Sequence, residues 1–546
     1  MTPQSTDGRS RLLIGRAVSA LAVVFVLVAL VIPSQLSSLT PAVFLRVPVE
    51  ALLLVLLLLL LPPRFRPWVA LAAGGLLGLL MVLKIIDMGF QTTLDRPFDP
   101  VLDWTFFPPA VNFLIGSAGR FVAILAVVVA VVLVIAVPVL MALAVRRLTP
   151  LLVSHRVVAF RVVAALAAVW VLCAVVGVQL VPGVPVADRN TSGVAFAHLR
   201  QVGTDIEDQR DFDRSAAVDA FRDVRGGDLL SGLQGKDVIL VMVESYGRVA
   251  LEDPVVSSHV LPVLSDGARG LAAAGFGARS AFLTSSTAGG GSWLAHSTLQ
   301  SGLWISNQQR YRDLVGSDRV TLTAAFRKAG WRTVNVAPGN REPWPDAGFF
   351  GFDHTVDAFS IGYKGPTFNF SSVPDQFTLS SFQRTELAPS ARQPVMAEVD
   401  LLSSHAPWEP VPEWLDWNAI GDGTGYQTPT YAGDPAEIVL QRDRTLVLND
   451  YGTAIAYSLR SLLSFVETYG TSDTVVIFLG DHQPAPVVAG DGATRDVPVT
   501  IVARDPTVLS EVAGWGWEDG LRPSPQAPVA RMDTFRDRFL STFSSP

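Results

Sequence analysis

The strongest constraint on this fold is a series of five long apolar runs in the first third of the chain. In a bilayer every backbone polar group must be satisfied within its own segment, so about 20 consecutive apolar residues cross it as a helix. A cleaved signal peptide would account for the first run alone, and buried helices of a soluble domain are the remaining alternative. We expect five transmembrane helices, at residues 12–32, 43–61, 68–86, 121–145 and 157–181.

Positive charge near the ends of these runs predicts their orientation. Arginines cluster before the first run, between the second and third, and between the fourth and fifth. Because cytoplasmic connections are enriched in Lys and Arg, the amino terminus is expected inside and residues after about Pro182 outside. The arginines are Arg9, Arg11, Arg16, Arg64, Arg66, Arg146, Arg147 and Arg156.

Composition sets limits on the rest of the chain. With 546 residues the chain is too long for a single core. The single cysteine, Cys173, lies in the fifth run, so no disulfide is expected in the outer part. A net charge of −7 argues against a nucleic-acid partner.

These observations predict four segments. The expected fold is a five-helix transmembrane region followed by an extracytoplasmic α/β domain. Surface helices, for example from Arg214 to Asp223, are expected in the linker, and a short amphipathic helix in the tail. The segments are 1–182 (transmembrane domain), 183–235 (linker), 236–510 (α/β domain) and 511–546 (carboxyl-terminal tail).

Two apolar runs in the outer part end in groups that bind metals. One starts at Thr474 and ends in Gly480, Asp481 and His482, and the other starts at Asp237 and ends in Glu244. Such runs are typical of buried central strands, and α/β sheets keep their ligands at the carboxyl ends of the strands. Carboxylate and imidazole together favour a divalent metal. The alternative is that these are ordinary polar residues where strands leave the sheet.

A glycine-rich loop supplies a candidate nucleophile. Three glycines precede Ser292, and a helical pattern follows it. Backbone N–H groups at a helix start attract anions, and a metal beside a hydroxyl favours its alkoxide. The alternative role of Ser292 is the N-cap of that helix, and Thr287 is the second candidate for the nucleophile.

Glu244, Ser292 and the Asp481–His482 pair carry a resemblance to a known family. Residues 236 to about 505 resemble the alkaline phosphatase/sulfatase superfamily, and in it the membrane-anchored lipoteichoic acid synthases and phosphoethanolamine transferases. The resemblance implies one divalent metal held by Glu244, Ser292, Asp481 and His482, with Mn first and Zn or Mg as alternatives. It also implies that Ser292 is the nucleophile and that five spans precede an outward catalytic domain. The fold that the resemblance implies for this domain is a mixed sheet flanked by helices.

The same resemblance implies substrate-binding residues. His405, after an apolar strand, corresponds to a histidine that bonds a phosphate oxygen or protonates the leaving group, and His296 is a second phosphate contact. Trp344 lies in a segment similar to the family's substrate-side segment. The Trp-x-Arg of lipoteichoic acid synthases is absent, since Pro345 and Asp346 follow Trp344, and Arg341 is the candidate replacement. The sulfatase motif around the nucleophile is also missing.

The expected activity is metal-dependent transfer of a phosphate-linked, phosphoglycerol-like head group from a membrane phospholipid to a glycan or lipid of the cell envelope. The resemblance places the protein in the plasma membrane of a bacterial cell, with the catalytic domain extracytoplasmic. The first alternative is a phosphodiesterase or phosphatase that uses the same single-metal site with water as acceptor. A second alternative is a non-catalytic scaffold that retains the fold.

Overall fold

The apolar runs form helices in the computed structural model, which describes residues 6–181, 184–368, 373–429, 436–439 and 442–545. The chain divides into two compact units. One comprises Met1–Thr92 and Arg96–Asp208, and the other comprises Thr93–Asp95 and Gln209–Pro546. The amino-terminal helices are α1 (Thr6–Val31), α2 (Val49–Leu60), α3 (Arg66–Leu94), α4 (Phe107–Ala118), α5 (Arg120–Ser154) and α6 (Arg156–Val176), and α7 (Asn190–Ala217) follows them.

Four short strands complete the amino-terminal unit. They are β1 (Val47–Pro48), β2 (Gln179–Val181), β3 (Val184–Pro185) and β4 (Ala187–Asp188). Strand β1 pairs in parallel with β4, and β2 pairs antiparallel with β3.

Within the described residues, four helices are long and apolar enough to cross a membrane: the Leu13–Val31 part of α1, then α3, α5 and α6. Helix α2 has 12 residues, about 18 Å at 1.5 Å per residue, which is short of an apolar core of about 30 Å. Pro48 lies at its start, where the chain is extended, because proline is disfavoured in a helix interior. The structure therefore has the four candidate spans of a membrane protein, and the count of five is not confirmed.

The connecting segment contains one long helix, α7, where one or two surface helices were predicted. Helix α7 ends at Ala217, so the helix predicted from Arg214 to Asp223 is wrong in its bounds. The carboxylate of Asp219 accepts the N–H groups of Phe221 (3.0 Å) and Val320 (2.8 Å). These bonds turn the chain away from helical geometry directly after α7.

A nine-stranded mixed sheet forms the centre of the carboxyl-terminal unit. Its strand order is β12-β6-β11-β10-β5-β9-β7-β8, with β13 paired to β6. The run β10-β5-β9-β7-β8 is parallel, and β11 is antiparallel to both of its neighbours. The strands are β5 (Asp237–Val243), β6 (Gly277–Thr284), β7 (Arg332–Val336), β8 (His354–Val356), β9 (Val395–Leu401), β10 (Thr474–Gly480), β11 (Asp496–Ala503), β12 (Glu518–Asp519) and β13 (Val529–Arg531).

Helices cover both faces of this sheet. The helices of the unit are α8 (Val249–Glu252), α9 (Pro254–Ala273), α10 (Ser292–Ser301), α11 (Gln308–Val315), α12 (Leu322–Lys328), α13 (Ala347–Phe350), α14 (Asp375–Phe382), α15 (Ala436–Val439), α16 (Arg444–Tyr469), α17 (Pro486–Ala489), α18 (Pro506–Glu511) and α19 (Phe535–Phe543). One buried cluster joins alternate strand residues such as Val241 and Phe478 to α9, α14 and α16. The other joins their neighbours Leu240 and Ile477 to α10, α12 and α19. This is the predicted α/β arrangement, a mixed sheet flanked by helices.

The predicted tail is part of this sheet. Strands β12 and β13 both pair with β6, and Phe535, Phe539 and Phe543 of α19 are buried in the core. The side chain of Arg536 is fully buried against Asp219. The last residues therefore complete the sheet's edge and its covering layer.

Candidate metal and nucleophile site

The ends of two adjacent strands bring distant acidic groups together. Strands β5 and β10 are parallel, and Val243 is paired with Gly480. Glu244 and Asp481 therefore leave the sheet side by side, and both are buried. A Cβ at Gly480 would lie 1.9 Å from the backbone oxygen of Tyr246, so only glycine fits at this strand end.

The residue after Glu244 adopts a rare backbone conformation. Ser245 has a φ of 56°, which costs energy for a residue other than glycine and recurs at functional sites. In this conformation its N–H donates to Oδ1 of Asp481 (2.7 Å), and its hydroxyl donates to Oε1 of Glu244 (2.8 Å). The hydroxyl of Tyr451 donates to the Ser245 carbonyl (2.8 Å). The strained residue thus orients both carboxylates.

The imidazole of His482 presents one defined nitrogen to these carboxylates. Its Nδ1 lies 2.8 Å from the carbonyl oxygen of Gln483, and because a carbonyl can only accept, Nδ1 donates. In the neutral ring Nε2 then carries the lone pair, as a metal ligand requires. It lies 3.4 Å from Oδ2 of Asp481 and 3.5 Å from Oε1 of Glu244.

Ser292 completes the cluster from the glycine-rich loop. Its Oγ lies 3.2 Å from Oε2 of Glu244 and 3.2 Å from Nε2 of His482. The N-cap of α10 is Gly291 and not Ser292, which is the first helical residue, so the capping role is not seen. Gly291 has a φ of 77°, a left-handed turn that aims the Ser292 hydroxyl at the strand ends. The Thr287 hydroxyl instead donates to the carbonyl of Gly290.

The four side chains fit a tetrahedral metal ion. Ligands about 2.0–2.2 Å from a tetrahedral metal are about 3.4 Å from one another. Four separations in this cluster, from Ser292 to Glu244 and His482 and from His482 to Glu244 and Asp481, are 3.2–3.5 Å. One ligand atom each from Glu244, Asp481 and His482 lies within 4.8 Å of the others. The set of two carboxylates, an imidazole and a hydroxyl suits Mn or Zn.

Electrostatics also favour a cation between these carboxylates. Burial raises the pKa of Asp481, and the adjacent Glu244 carboxylate raises it further. Burial acts in the same direction on Glu244, but His405, His482 and the bond from Ser245 hold the pKa of Glu244 below its usual range. The buried carboxylates of Glu244 and Asp481 repel each other, and a divalent ion between them would offset that repulsion.

His405 lies near Glu244 on the loop after β9. Its Nδ1 is 2.6 Å from the Ala406 carbonyl oxygen, and it is the neighbour that lowers the pKa of Glu244 most. The loop is fixed by Asp375, which is fully buried and accepts the N–H groups of Leu402 (2.7 Å) and Ser403 (3.0 Å). Sequence reasoning missed Asp375, since an acid before a helical stretch looks like an ordinary capping residue.

His296 belongs to a second group, one turn after Ser292 on α10. Its Nδ1 lies 3.1 Å from Oε1 of Glu398 and 3.8 Å from Oδ1 of Asp400. Burial lowers the pKa of His296, but Asp400 and Glu398 outweigh it and raise the pKa to about 10. Glu398 was missed; the available signal was the alternation of two acids with apolar residues along β9.

The other two predicted substrate residues lie in the segment between β7 and β8. Trp344 donates from Nε1 to the Tyr311 hydroxyl (3.3 Å) and packs against Phe350 and Phe352. Arg341 is exposed on the same segment. The contacts of Trp344 connect it to α11 and α13 rather than to the four-ligand cluster. Substrate binding by both residues stays a prediction.

Fold and site together define an α/β domain with a candidate metal centre and a hydroxyl at the edge of its sheet. A family model described as "Sulfatase" matches residues 236–496. The predicted resemblance to the alkaline phosphatase/sulfatase superfamily is therefore confirmed for these residues.

Several solved structures are similar to this chain. One is the lipoteichoic acid synthase LtaP from Listeria monocytogenes, with 16% identity, 58% of this chain and 74% of that chain covered, and a TM-score of 0.36. The zinc complex of the periplasmic domain of EcEptC from Escherichia coli is 13% identical over 57% of this chain and 84% of that chain, with a TM-score of 0.37. The Streptococcus pyogenes phosphoglycerol transferase GacH in complex with sn-glycerol-1-phosphate is 12% identical over 62% of this chain and 90% of that chain, with a TM-score of 0.34. No curated protein matches the sequence.

Proposed function

We propose that the carboxyl-terminal unit transfers a phosphate-linked head group by way of a covalent intermediate on Ser292. The observation that carries this proposal is the position of the Ser292 hydroxyl, 3.2 Å from both Glu244 and His482 at the start of α10. A hydroxyl among buried metal-binding groups, at a helix end that attracts anions, suits attack on a phosphate ester.

Glu244, Ser292, Asp481 and His482 would hold one divalent cation, with Mn²⁺ as our first choice and Zn²⁺ or Mg²⁺ as alternatives. When bound, the cation would favour the Ser292 alkoxide and stabilise negative charge on the phosphate oxygens. Ser245 and Gln483 contribute by holding the Asp481 carboxylate and the His482 ring in fixed orientations. A ligand set that is oriented in advance binds the metal without reorganisation.

In the first half-reaction, Ser292 Oγ forms a bond to phosphorus while the bond from phosphorus to the diacylglycerol oxygen breaks. The proton lost by Ser292 ends on that leaving oxygen, and His405 is the group assigned to deliver it. In the second half-reaction an acceptor hydroxyl bonds to phosphorus, Ser292 leaves, and the acceptor's proton returns to Ser292. Water in place of the acceptor makes the same site a phosphodiesterase.

The membrane context completes the proposal. We assign the protein an inside amino terminus and a catalytic domain outside the plasma membrane of a bacterial cell, an arrangement that requires residues 43–61, which contain the short helix α2, to cross the bilayer as a fifth span. The donor is then a membrane phospholipid such as phosphatidylglycerol, and the acceptor a glycan or lipid hydroxyl of the cell envelope. Anchoring holds the enzyme at the surface that contains its donor, which raises the effective concentration of that donor. His296, Trp344 and Arg341 are assigned to the substrate.

The test is the intact mass of the full-length protein in lipid nanodiscs that contain phosphatidylglycerol, incubated with Mn²⁺. Wild type and Thr287→Val should gain one glycerophosphoryl group, whereas Ser292→Ala should gain none. The Thr287 variant is the matched control, because its hydroxyl lies in the same loop but is bonded to Gly290.

Each other outcome has a definite meaning. An adduct on Ser292→Ala that is lost in Thr287→Val would move the nucleophile to Thr287 and overturn the assignment. Free glycerol phosphate that forms without any acceptor would favour hydrolysis. Wild type without adduct or product, but with Mn²⁺ bound, would overturn the proposed donor.

A further inference from the structure

A second group of metal-binding side chains lies beside the first. Glu398 and Asp400 are two residues apart on β9, so both side chains project from the same face of the sheet. His296 on α10 meets them there, with Nδ1 3.1 Å from Glu398 and 3.8 Å from Asp400. One ligand atom from each of the three residues lies within 4.8 Å of the others.

The fold holds this second group in a fixed geometry. Gln300, one turn after His296 on α10, donates from its amide to Oε2 of Glu398. The Gln300 carbonyl in turn accepts the N–H group of Thr323 (3.0 Å), which fixes the orientation of the amide. Oε1 of Glu398 is therefore left to face His296, and its side chain is only 4% exposed.

One oxygen of the group lacks a partner. Oδ1 of Asp400 is buried and accepts no hydrogen bond within the described part of the chain. The Nδ1 atom of His296, at 3.8 Å, is beyond hydrogen-bond distance. A buried carboxylate oxygen is costly to leave unsatisfied, and a bound cation would satisfy it.

The spacing and donor types suit a cation. Nδ1 of His296 lies 3.1 Å from Glu398 and 3.8 Å from Asp400. These distances bracket the value of about 3.4 Å expected between two ligands of a tetrahedral metal. Imidazole and carboxylate are both ligands of divalent metals, and a site with three protein ligands keeps an open position for water or substrate. A cation here would replace the proton on Nδ1 and bind the unpartnered oxygen of Asp400.

Charge gives an independent argument. Strands β5 and β9 are neighbours, with Asp400 opposite Met242, and His296 is one helical turn from Ser292, so the two groups are adjacent. The two groups together contain four carboxylates. One divalent cation neutralises the charge of two of them. An anionic phosphate ester would then enter a negative site, and a proton on His296 removes only one further charge. A second divalent cation neutralises both of the remaining negative charges.

We propose that His296, Glu398 and Asp400 form a second divalent-cation site next to the Ser292 centre. The inference deepens the proposed function, and rests on it only for the role of this cation, which is to offset the charge of the phosphate substrate. His296 then acts on the phosphate through this cation, which takes the place of the direct contact assigned to His296 in the proposed function. Cation binding itself is independent of whether Ser292 is the nucleophile. The alternative is a permanent ion pair, in which a protonated His296 bridges the two carboxylates without metal.

The experiment counts Mn²⁺ ions bound to the tag-free full-length protein in detergent, by elemental analysis after removal of excess metal. Wild type should hold two ions per chain. Asp400→Asn, Glu398→Gln and His296→Gln should each hold one, and so should Asp481→Asn, which removes a ligand of the first site. Asp519→Asn is the matched control, since its side chain is 85% exposed on β12 of the same sheet, and it should keep two.

A second readout separates site loss from unfolding. Two neighbouring Mn²⁺ ions in wild type should give a broadened, exchange-coupled electron paramagnetic resonance spectrum, and Asp400→Asn should give the six-line spectrum of an isolated ion. Variants whose thermal transition matches wild type are compared. One ion per chain in wild type, retained in Asp400→Asn and lost in Asp481→Asn, would overturn the second site and leave the first. An unchanged count in Asp481→Asn, with loss in Asp400→Asn, would instead overturn the first.

Discussion

The hydroxyl oxygen of Ser292 lies 3.2 Å from Nε2 of His482, although the two residues are 190 positions apart in the chain. Backbone contacts between their loops hold them there. Ala288 forms a parallel bridge with Gln483, and the N–H of Gly289 donates to the Gln483 carbonyl (2.8 Å). That same carbonyl fixes the tautomer of His482. Gln483 therefore positions the nucleophile loop and orients the imidazole together.

Metal binding at this site should stabilise the protein. Anything that binds only the folded state adds about 2.7 kcal/mol at a concentration 100-fold above its Kd. We expect Mn²⁺ to raise the Tm of wild type and EDTA to reverse the rise. The comparison is Asp481→Asn, in which an amide oxygen can still accept the N–H groups of Ser245 and His482, so its fold is kept while its metal affinity falls. An equal Mn²⁺-dependent rise in both proteins would contradict binding at this site.

Gly480→Ala should damage the site through the backbone. Its Cβ would meet the carbonyl oxygen of Tyr246 at 1.9 Å, which forces the ends of β5 and β10 apart. Overpacking of this kind costs about 1–3 kcal/mol or more, and the displaced strand end should also weaken Mn²⁺ binding. Thermal melts and a Mn²⁺ titration measure the two effects.

The matched control for that substitution is Gly514→Ala. A Cβ at Gly514 meets nothing within 4 Å, so its effect should stay within about 0.5 kcal/mol. Equal Tm values for the two variants would show that β10 relaxes freely and that the close approach does not define the site.

Residues whose signal is local could be predicted from the sequence. Glu244, Asp481 and His482 each follow an apolar strand, and Ser292 follows three glycines, so neighbours in sequence mark their positions. The parallel pairing of β5 with β10 then brings them together. The cofactor type and the α/β class follow from the same local patterns.

What depends on tertiary packing was missed. The contact between His296 and Glu398 requires β9 to lie beside β5 and α10 to present one face to β9, and neither condition is written in a local pattern. Asp375 acts on the loop before His405 across space. The second apolar run illustrates another limit, because its hydropathy is that of a span, whereas Pro48 leaves a helix of only 12 residues.

Asp375 should give the protein a pH-dependent stability. Burial raises its pKa from 3.8 to about 6. Between these values the unfolded carboxyl is ionised while the folded one keeps its proton, so its contribution is full below about pH 4 and is lost as pH rises through about 6. The shift corresponds to about 3 kcal/mol.

Asp375→Asn removes this dependence and keeps an oxygen for the N–H groups of Leu402 and Ser403. We expect the Tm of the variant to rise relative to wild type between pH 4.5 and 7.5. Tryptophan fluorescence melts across that range measure the difference in Tm between variant and wild type. Other titrating groups are the same in both proteins, so their effects cancel in this difference. A constant difference across the range would exclude Asp375 as the titrating group.

The buried pair of Arg536 and Asp219 should join the carboxyl-terminal helix to the rest of the unit. Both side chains are 0% exposed, and Nη2 of Arg536 lies 2.7 and 2.9 Å from the two carboxylate oxygens. Arg536→Met leaves the carboxylate buried without its main partner, which costs about 3–5 kcal/mol.

Adding Asp219→Asn to that variant removes the stranded charge but keeps a carbonyl oxygen for the N–H groups of Phe221 and Val320. The double variant should therefore melt at a higher temperature than Arg536→Met alone. Arg538→Met, on the same helix and facing Trp515, is the matched control and should change Tm little. The single variant Asp219→Asn completes the comparison. If the Tm decreases caused by Arg536→Met and by Asp219→Asn simply add in the double variant, the stabilisation comes from packing of the Arg536 side chain and not from its charge.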